Sequence, residues 1–402
     1  MREIVLIKVT GEDRPGLTAA ITGVLAQAGV NILDIAQAAV HGAASLGILI
    51  EVADGTQTPA LSRAVLSTAQ ELGQQALFTQ LDEADYRRWV EGQGRERHIV
   101  TLLSRQVTAE QVQRVSALST EQGLAIERIE RLSLPVALGA QPGNACIEFS
   151  LRGEPGDAAG LRAEFLRAAD ELGVDIAFQA DSLQRRHRRL AVFDMDSTLI
   201  EAEVIDELAK AAGIGDKVSA ITERAMRGEL DFRASFKERL ALLKGLDVGV
   251  LDEIGASLRL TEGAERLFAE LKRLGYKTAI LSGGFTYFAN QLQAKLGIDY
   301  VFANELAVVD GKVTGVAVEP IVDAQRKADL LRELAHKEGL QLEQTIAVGD
   351  GANDLPMLAI AGLGVAFRAK PLVKQSARQA ISTLGLDGVL YLLGVHERDL
   401  QR

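Results

Sequence analysis

The sequence predicts a chain of the α/β class: a doubly wound parallel-sheet domain carrying a helical cap, preceded by two βαββαβ units. Three observations carry this. From residue 190 onward short apolar runs, "LAVFD", "KTAILSG", "TIAVGDG" and "GLGVAF", alternate with helical segments, as strands buried on both faces by crossover helices do. The first two of these strands are separated by residues 201–260, rich in helix formers and longer than one crossover needs. Residues 1–82 and 97–181 repeat a single order of elements.

In the first unit, alternation gives the strand "EIVLIKVT" and helical spacing gives "GLTAAITGVLAQAGV". Strands in "NILDIAQAAV" and "SLGILIEVAD", the helix "PALSRAVLSTAQELG" and the strand "ALFTQLD" complete it. The second unit reads "HIVTLLSR", "AEQVQRVSALSTEQG", "LAIERIERLSL", "ACIEFSLRG", "AAGLRAEFLRAADELG" and "DIAFQADS". "GVNILDI" and "GLAIERI" lie 94 residues apart, as a duplication would leave them. Between the units, "EADYRRWVEGQGRER" reads as a helical or extended linker with Trp89 as a docking residue, and after them "QRRHRR" reads as a solvated linker. Later, "LAVVDGKVTGVAV" sets Asp310-Gly311 between alternating apolar residues, a hairpin signal within the sheet domain. The expected domains are 1–83, 97–182 and 188–398, the last with its cap at 201–260.

A chain of 402 residues with 47% hydrophobic content supports several cores. Its 44 Lys and Arg against 55 Asp and Glu give a formal net charge of −11, which argues against nucleic acid or an anionic membrane as a partner. Any bound phosphate then needs a local device. The single cysteine, Cys146, excludes an intramolecular disulfide and reads as a core residue, and scattered histidines without a CxxC argue against zinc. The opening "MREIVLIKVT" lacks a signal-peptide pattern and no window has the apolar length of a membrane span, so a cytoplasmic protein is expected.

The chemistry falls at strand ends, where open parallel sheets bind ligands. Asp194 and Asp196 follow "LAVF"; Ser282, Gly283 and Gly284 follow "TAIL"; Asp350, Gly351, Asn353 and Asp354 follow "TIAV". Clustered carboxylates are costly without a cation among them, and oxygen-only ligands select a hard ion such as Mg²⁺. A metal with open positions can bridge a phosphate whose other oxygens meet Lys327, Ser282 and glycine amides. Asp194, first out of its strand, is the candidate nucleophile, and Asp196 the candidate general acid and base.

"DMDST", "SGG", Lys327 and "GDGANDLPM", in that order, resemble the four motifs of the haloacid dehalogenase superfamily, and the fuller match, over 190–395, is to its branch that hydrolyses phosphoserine. The resemblance implies an aspartyl-phosphate on Asp194, and Mg²⁺ held by Asp194, the main-chain carbonyl of Asp196 and Asp350, with Asp354 in support. It implies phosphate contacts from Ser282, Gly283 and Lys327, a substrate ammonium at Glu203 and carboxylate at Arg239, apolar walls at Met226 and Phe232, and Asn353 near the phosphate. Transfer of the phosphoryl group to a second alcohol, hydrolysis of another small phosphomonoester, or a regulator with a degenerate phosphatase domain are the rival readings.

The two βαββαβ units, ferredoxin-like in order, resemble ACT domains, the small-molecule sensing modules of amino-acid metabolism. "GEDRPGLTAAIT" places Pro15-Gly16 at a tight turn before a helix whose first amides are free for an anion, and Asp13, Arg14, Pro15 and Gly16 match the ACT ligand loop. The corresponding loop "SRQVTAEQ" lacks the Pro-Gly, which leaves ligand binding there open. The resemblance implies a homodimer through these domains, with serine as feedback effector.

Overall fold

The computed structural model describes residues 2–141, 143–227 and 229–401, Met226 by its backbone alone. The chain divides into two compact units, one ending at Arg95 and one starting at Glu96. In the first, strand β1 (Glu3–Glu12), helix α1 (Leu17–Gln27), strands β2 (Asn31–Val40) and β3 (Ala43–Val52), helix α2 (Thr58–Glu71) and strand β4 (Gln75–Leu81) build an antiparallel sheet of order β2-β3-β1-β4. Every second residue of β1, such as Val5, Ile7 and Val9, meets residues of α1 at three- and four-residue spacing, Leu17, Ile21 and Leu25, in one core. The edge strand β2 stands exposed along almost its whole length. Helix α3 (Glu83–Gly92) follows, capped by the Asp82 carboxylate accepting from the Asp85 amide, with Trp89 stacked on Tyr86.

The second unit opens by repeating that order: β5 (Arg97–Ser104), α4 (Ala109–Glu121), β6 (Ala125–Arg131), β7 (Ala145–Arg152), α5 (Ala158–Leu172) and β8 (Asp175–Ala180), paired as β6-β7-β5-β8. A capping box between Thr108 and Gln111 starts α4, and the Asp157 carboxylate accepts the first amides of α5. Helix α6 (Leu183–Arg186) takes in the first half of the cationic run "QRRHRR"; Gln184, Arg186, His187 and Arg189 are exposed, as a solvated linker would have them, but Arg185 and Arg188 are not. Arg185 and Arg188 are 6% and 4% exposed. Arg185 meets Glu148 of β7 at 2.8 Å, while Arg188 donates to the Gln179 side chain at 3.2 Å and the Gly362 carbonyl at 3.3 Å. Their carboxylate and carbonyl partners lie on elements remote in sequence, so the run joins the βαββαβ sheet to the domain that follows.

That domain begins with β9 (Leu190–Phe193) and rises into four cap helices, α7 (Val204–Ala211), α8 (Gly215–Met226), α9 (Phe232–Leu242) and α10 (Gly249–Ser257). It returns through α11 (Ala264–Arg273), β10 (Lys277–Phe285), α12 (Thr286–Leu296) and β11 (Tyr300–Asn304) to a hairpin of β12 (Leu306–Val309) and β13 (Lys312–Ala317). Helix α13 (Ala324–Lys337), β14 (Thr345–Gly349), α14 (Leu355–Ile360), β15 (Leu363–Phe367), α15 (Pro371–Ser376), β16 (Gln379–Ile381) and α16 (Gly388–Leu392) complete it. The parallel sheet runs β11-β10-β9-β14-β15-β16. The hairpin turns at Asp310 and Gly311, both at positive φ (50° and 72°), the backbone a two-residue turn between twisted strands requires. It serves the cap as well as the sheet domain: amides of Gly245 and Val248 donate to the Val313 and Gly311 carbonyls. Among the described residues, no helix is long and apolar enough to cross a membrane.

Candidate active site

Strand β9 is apolar throughout because both its faces are covered: Ala191 and Phe193 point into one core, Leu190 and Val192 into the other. It pairs with β10 on one side and β14 on the other. Successive strands leave β9 toward β11 in one direction and toward β16 in the other, so the tips of β9, β10 and β14 surround the point where strand order reverses. The ladder still holds at Asp194, whose amide donates to the Val348 carbonyl at 2.9 Å. Three residues on, Ser197 adopts a left-handed φ of 53° and the chain swings up into the cap.

The Asp194 Oδ1 accepts from the Met195 amide at 2.7 Å and from Lys327 Nζ at 2.8 Å. Lys327 stands in the first turn of α13, which the Asp323 carboxylate caps. It is fully buried and also meets Asp354 Oδ1 at 2.7 Å. Burial would pull the ammonium down, yet the Asp194 and Asp354 carboxylates hold its pKa above the ordinary value. Asp354 Oδ2 accepts from the Gly351 amide at 2.9 Å. A Cβ on Gly349 would fall 2.4 Å from Asp354, so only glycine fits at this strand end.

Oxygens of Asp194, Asp350 and Asp354 can lie within 4.8 Å of one another. Burial, then the charge of Asp194, pushes Asp350 up to about 8 and Asp354 up to about 7. Lys327 supplies one positive charge against these three carboxylates, which leaves a deficit of two when all are ionised. An all-oxygen set with that deficit fits a hard divalent cation such as Mg²⁺. The donors are rigid, since Asp350 Oδ1 also accepts from Thr198 Oγ1 at 3.2 Å.

Asp196 faces the same space from the cap side, its Oδ1 accepting from the Val204 amide at 3.1 Å. Burial first, then the nearby Glu203 and Asp194, raise its pKa well above the ordinary carboxylate value, which favours the protonated form a general acid needs. A Cβ on Gly284 would fall 2.5 Å from Asp196 Oδ2, so the "SGG" loop reaches the acid only because it is bare. Ser282, fully buried, accepts the Gly284 amide on its hydroxyl at 2.9 Å. Above lies a pocket of about 640 Å³ that reaches Asp194, Asp196 and Asp350 below and Glu203 and Arg239 in the cap. Glu203, just before α7, accepts from Ser197 Oγ at 2.7 Å, and burial raises its pKa. Burial lowers that of Arg239 against the pull of Asp206, Glu203 and Asp196. An acidic and a cationic side chain thus face one cavity, which Phe232 also lines.

Phe232, Gly283 and Asn353 line this pocket with the residues already named, whereas Ser282, Lys327 and Asp354 sit buried at its base. The Met226 side chain lies outside the described residues. Sequence reading placed Thr198 in "DMDST" without giving it a role, and did not single out Asn304. Thr198 was legible in principle from that motif. Asn304 was not: it ends an ordinary strand, yet its Nδ2 donates to the Gly283 carbonyl at 2.7 Å and its Oδ1 accepts from the Val322 amide at 2.8 Å. It ties the "SGG" loop to the segment leading into the Lys327 helix. In the first unit Asp13, Arg14 and Pro15 form an exposed turn, with Arg14 paired to Glu12 at 2.8 Å and Gly16 at φ 94° opening α1.

Residues 191–359 match the haloacid dehalogenase-like hydrolase family, and 3–79 and 96–179 each match an ACT domain. A phosphoserine phosphatase of Streptomyces coelicolor is 43% identical over 98% of this chain and 93% of its own length. One from Mycobacterium tuberculosis is 40% identical over 99% and 94%. Among solved structures, a haloacid dehalogenase family hydrolase of Salmonella enterica serovar Typhi covers 75% of this chain and 100% of its own, with TM-score 0.64 and 30% identity. A probable phosphoserine phosphatase of Vibrio cholerae, unliganded, covers 75% and 89%, with TM-score 0.59 and 36% identity.

Proposed function

Since the chain belongs to the phosphoserine phosphatases, haloacid dehalogenase-like hydrolases with two ACT domains ahead of the catalytic one, we propose that it cleaves O-phospho-L-serine to L-serine and phosphate through an aspartyl-phosphate on Asp194, as the last step of serine biosynthesis. The observation that carries this reading is the Asp194 carboxylate, pinned through Oδ1 by Lys327 and the Met195 amide beside an Asp196 whose pKa burial raises. Fixing one oxygen orients the other toward the pocket. The Asp194 oxygen attacks phosphorus, the bond from phosphorus to the serine oxygen breaks, and Asp196 gives its proton to that leaving oxygen. Asp196, now a carboxylate, takes a proton from water, whose oxygen attacks the phosphorus and releases Asp194 and phosphate.

Asp194, Asp350 and the main-chain carbonyl of Asp196 would hold Mg²⁺, with Asp354 in support, and the ion would supply charge neutralisation for phosphate beside these carboxylates. Lys327, Ser282 and the Gly283 amide hold the phosphoryl oxygens and Asn353 borders them. Glu203 receives the substrate ammonium and Arg239 its carboxylate, the latter with bidentate geometry that lysine lacks, while Phe232 and Met226 wall the methylene. The domains are taken as 1–83, 97–182 and 188–398, with the cap at 201–260.

Serine, or another amino acid, is read as an effector at the turn of Asp13, Arg14, Pro15 and Gly16. The exposed edge strand β2, with Ile32 and Ile35 standing in solvent, supports pairing of two copies through these domains. A cytoplasmic setting agrees with a lone, buried Cys146 whose thiol burial pushes well up and so keeps inert.

The test is phosphate release from phosphoserine, phosphothreonine and p-nitrophenyl phosphate, with Mg²⁺ or EDTA, with an acceptor alcohol in parallel and mass spectrometry of the trapped enzyme. Phosphoserine preferred, activity lost in EDTA and a phosphorylated Asp194 are expected. Undiminished turnover by Asp194→Asn would overturn the mechanism.

A further inference from the structure

A second cavity, of about 570 Å³, lies between α5 of the second ACT domain and residues 374–380 of the catalytic domain. Its floor is apolar, formed by Phe165, Ile176 and Phe178, and its rim carries Arg162, Arg167, Lys374 and Arg378. Two of these cations are matched, Arg167 by Glu164 and Lys374 by Asp170. The acid in the wall, Asp175, is taken up by the Ser382 and Thr383 amides and the Thr383 hydroxyl. Arg378 is exposed and, among the described residues, has no carboxylate partner; Arg162 has none either and lies over the Phe178 ring at 5.9 Å. Two unmatched guanidinium groups therefore line the cavity, one of them over an aromatic ring of its floor. That arrangement suits a carboxylate carried on an apolar body.

The cavity is also mechanically joined to the catalytic pocket. Helix α15, six residues long, is the partition between them: Leu372 and Val373 line the catalytic side, Lys374, Gln375 and Ser376 the junction side. The Lys374–Asp170 pair ties the partition to α5. Just beyond it, the Gln379 side chain exchanges two hydrogen bonds with the Phe178 backbone, at 2.9 and 2.6 Å, as a neighbouring strand would.

We infer that this junction cavity binds a small carboxylate with an apolar body, and that its occupancy is felt in the catalytic pocket through α15. A helix of one and a half turns has no interior to absorb a displacement, so drawing Lys374, within it, toward a bound anion shifts Leu372 and Val373 with it. The coupling is reciprocal: a ligand that changes substrate affinity has its own affinity changed by the same factor. These residues are distinct from the Asp13 to Gly16 turn, and the inference rests on the phosphatase reading only for its activity readout.

The probe is phenylpyruvate, an aromatic carboxylate, titrated by calorimetry into the full-length chain, with malonate as a purely polar control. Phenylpyruvate is expected to bind the parent more tightly than malonate does, roughly tenfold or more weakly to Arg162→Ala/Arg378→Ala, and not at all to Ala163→Trp, which fills the cavity with both arginines in place. Saturating probe should shift the KM for phosphoserine in the parent and leave it unmoved in Ala163→Trp. No binding to the parent, binding to either variant as tight as to the parent, or malonate matching phenylpyruvate would overturn the site. Binding that survives with KM unmoved would overturn the coupling. Calorimetry needs no turnover, so a wrong substrate assignment leaves the binding result standing.

Discussion

Asn304→Ala should damage catalysis from outside the pocket. Asn304 is 2% exposed and holds two backbone groups that belong to different walls of the site, the Gly283 carbonyl and the Val322 amide. Removing its side chain orphans both. At about 1–2 kcal/mol for each unsatisfied group, the catalytic domain should lose roughly 2–4 kcal/mol. The Gly283 loop also loses its tether, and a displacement of about 1 Å at a reacting centre costs on the order of a hundredfold in rate. The Glu203 and Arg239 side chains belong to the cap and keep their places. Steady-state kinetics with phosphoserine should therefore show kcat down at least about tenfold with KM within about threefold, alongside a lower thermal midpoint. Asn304→Asp still accepts from Val322 but turns an acceptor oxygen on the Gly283 carbonyl, so it should lose the same rate and at least as much stability. Unchanged kcat in both variants, or a loss confined to KM, would refute the positioning argument.

Arg239→Ala should raise KM for phosphoserine roughly ten- to a hundredfold, the loss of a charge-assisted grip, and leave p-nitrophenyl phosphate nearly untouched; equal effects would remove the carboxylate assignment. In the metal-free chain, Asp350 and Asp354 carry folded-state pKa values raised to about 8 and about 7. The folded state then holds more protons than the unfolded one between roughly pH 4 and 8, so stability is greatest below that window and falls as pH rises through it. Thermal midpoints in EDTA should drop from pH 5 to 9, and Mg²⁺ should restore more at the alkaline end; a flat EDTA profile would contradict the cluster. Arg185→Ala leaves the buried Glu148 without its partner at a cost of about 3–5 kcal/mol, whereas Arg186→Ala, at a side chain 65% exposed, should leave the thermal midpoint where it was.

The strand ends were readable because their signal is local. An apolar run such as Leu190 to Phe193, followed by Asp194 and Asp196, states both the strand and the chemistry at its tip within a few residues, and the same holds for Ser282 and for Asp350 to Asp354. The Asp310-Gly311 turn and the repeat of the two βαββαβ orders were legible for the same reason. The cationic run at 184–189 shows where this stops. Composition makes it a solvated linker, while its fate depends on Glu148 and Gln179, in earlier strands, and on Gly362, far downstream.

By itself, then, the sequence determined which carboxylates, hydroxyls and glycines end the neighbouring strands, because residue type and short-range period are written along the chain. The fold alone decided that Arg185 and Arg188 are interior, that Asn304 braces two walls of the pocket, and that α15 divides one cavity from another. Each of these depends on which distant elements pack together, since a charge or an amide is buried only where a partner from elsewhere meets it, and linear order holds no record of that meeting.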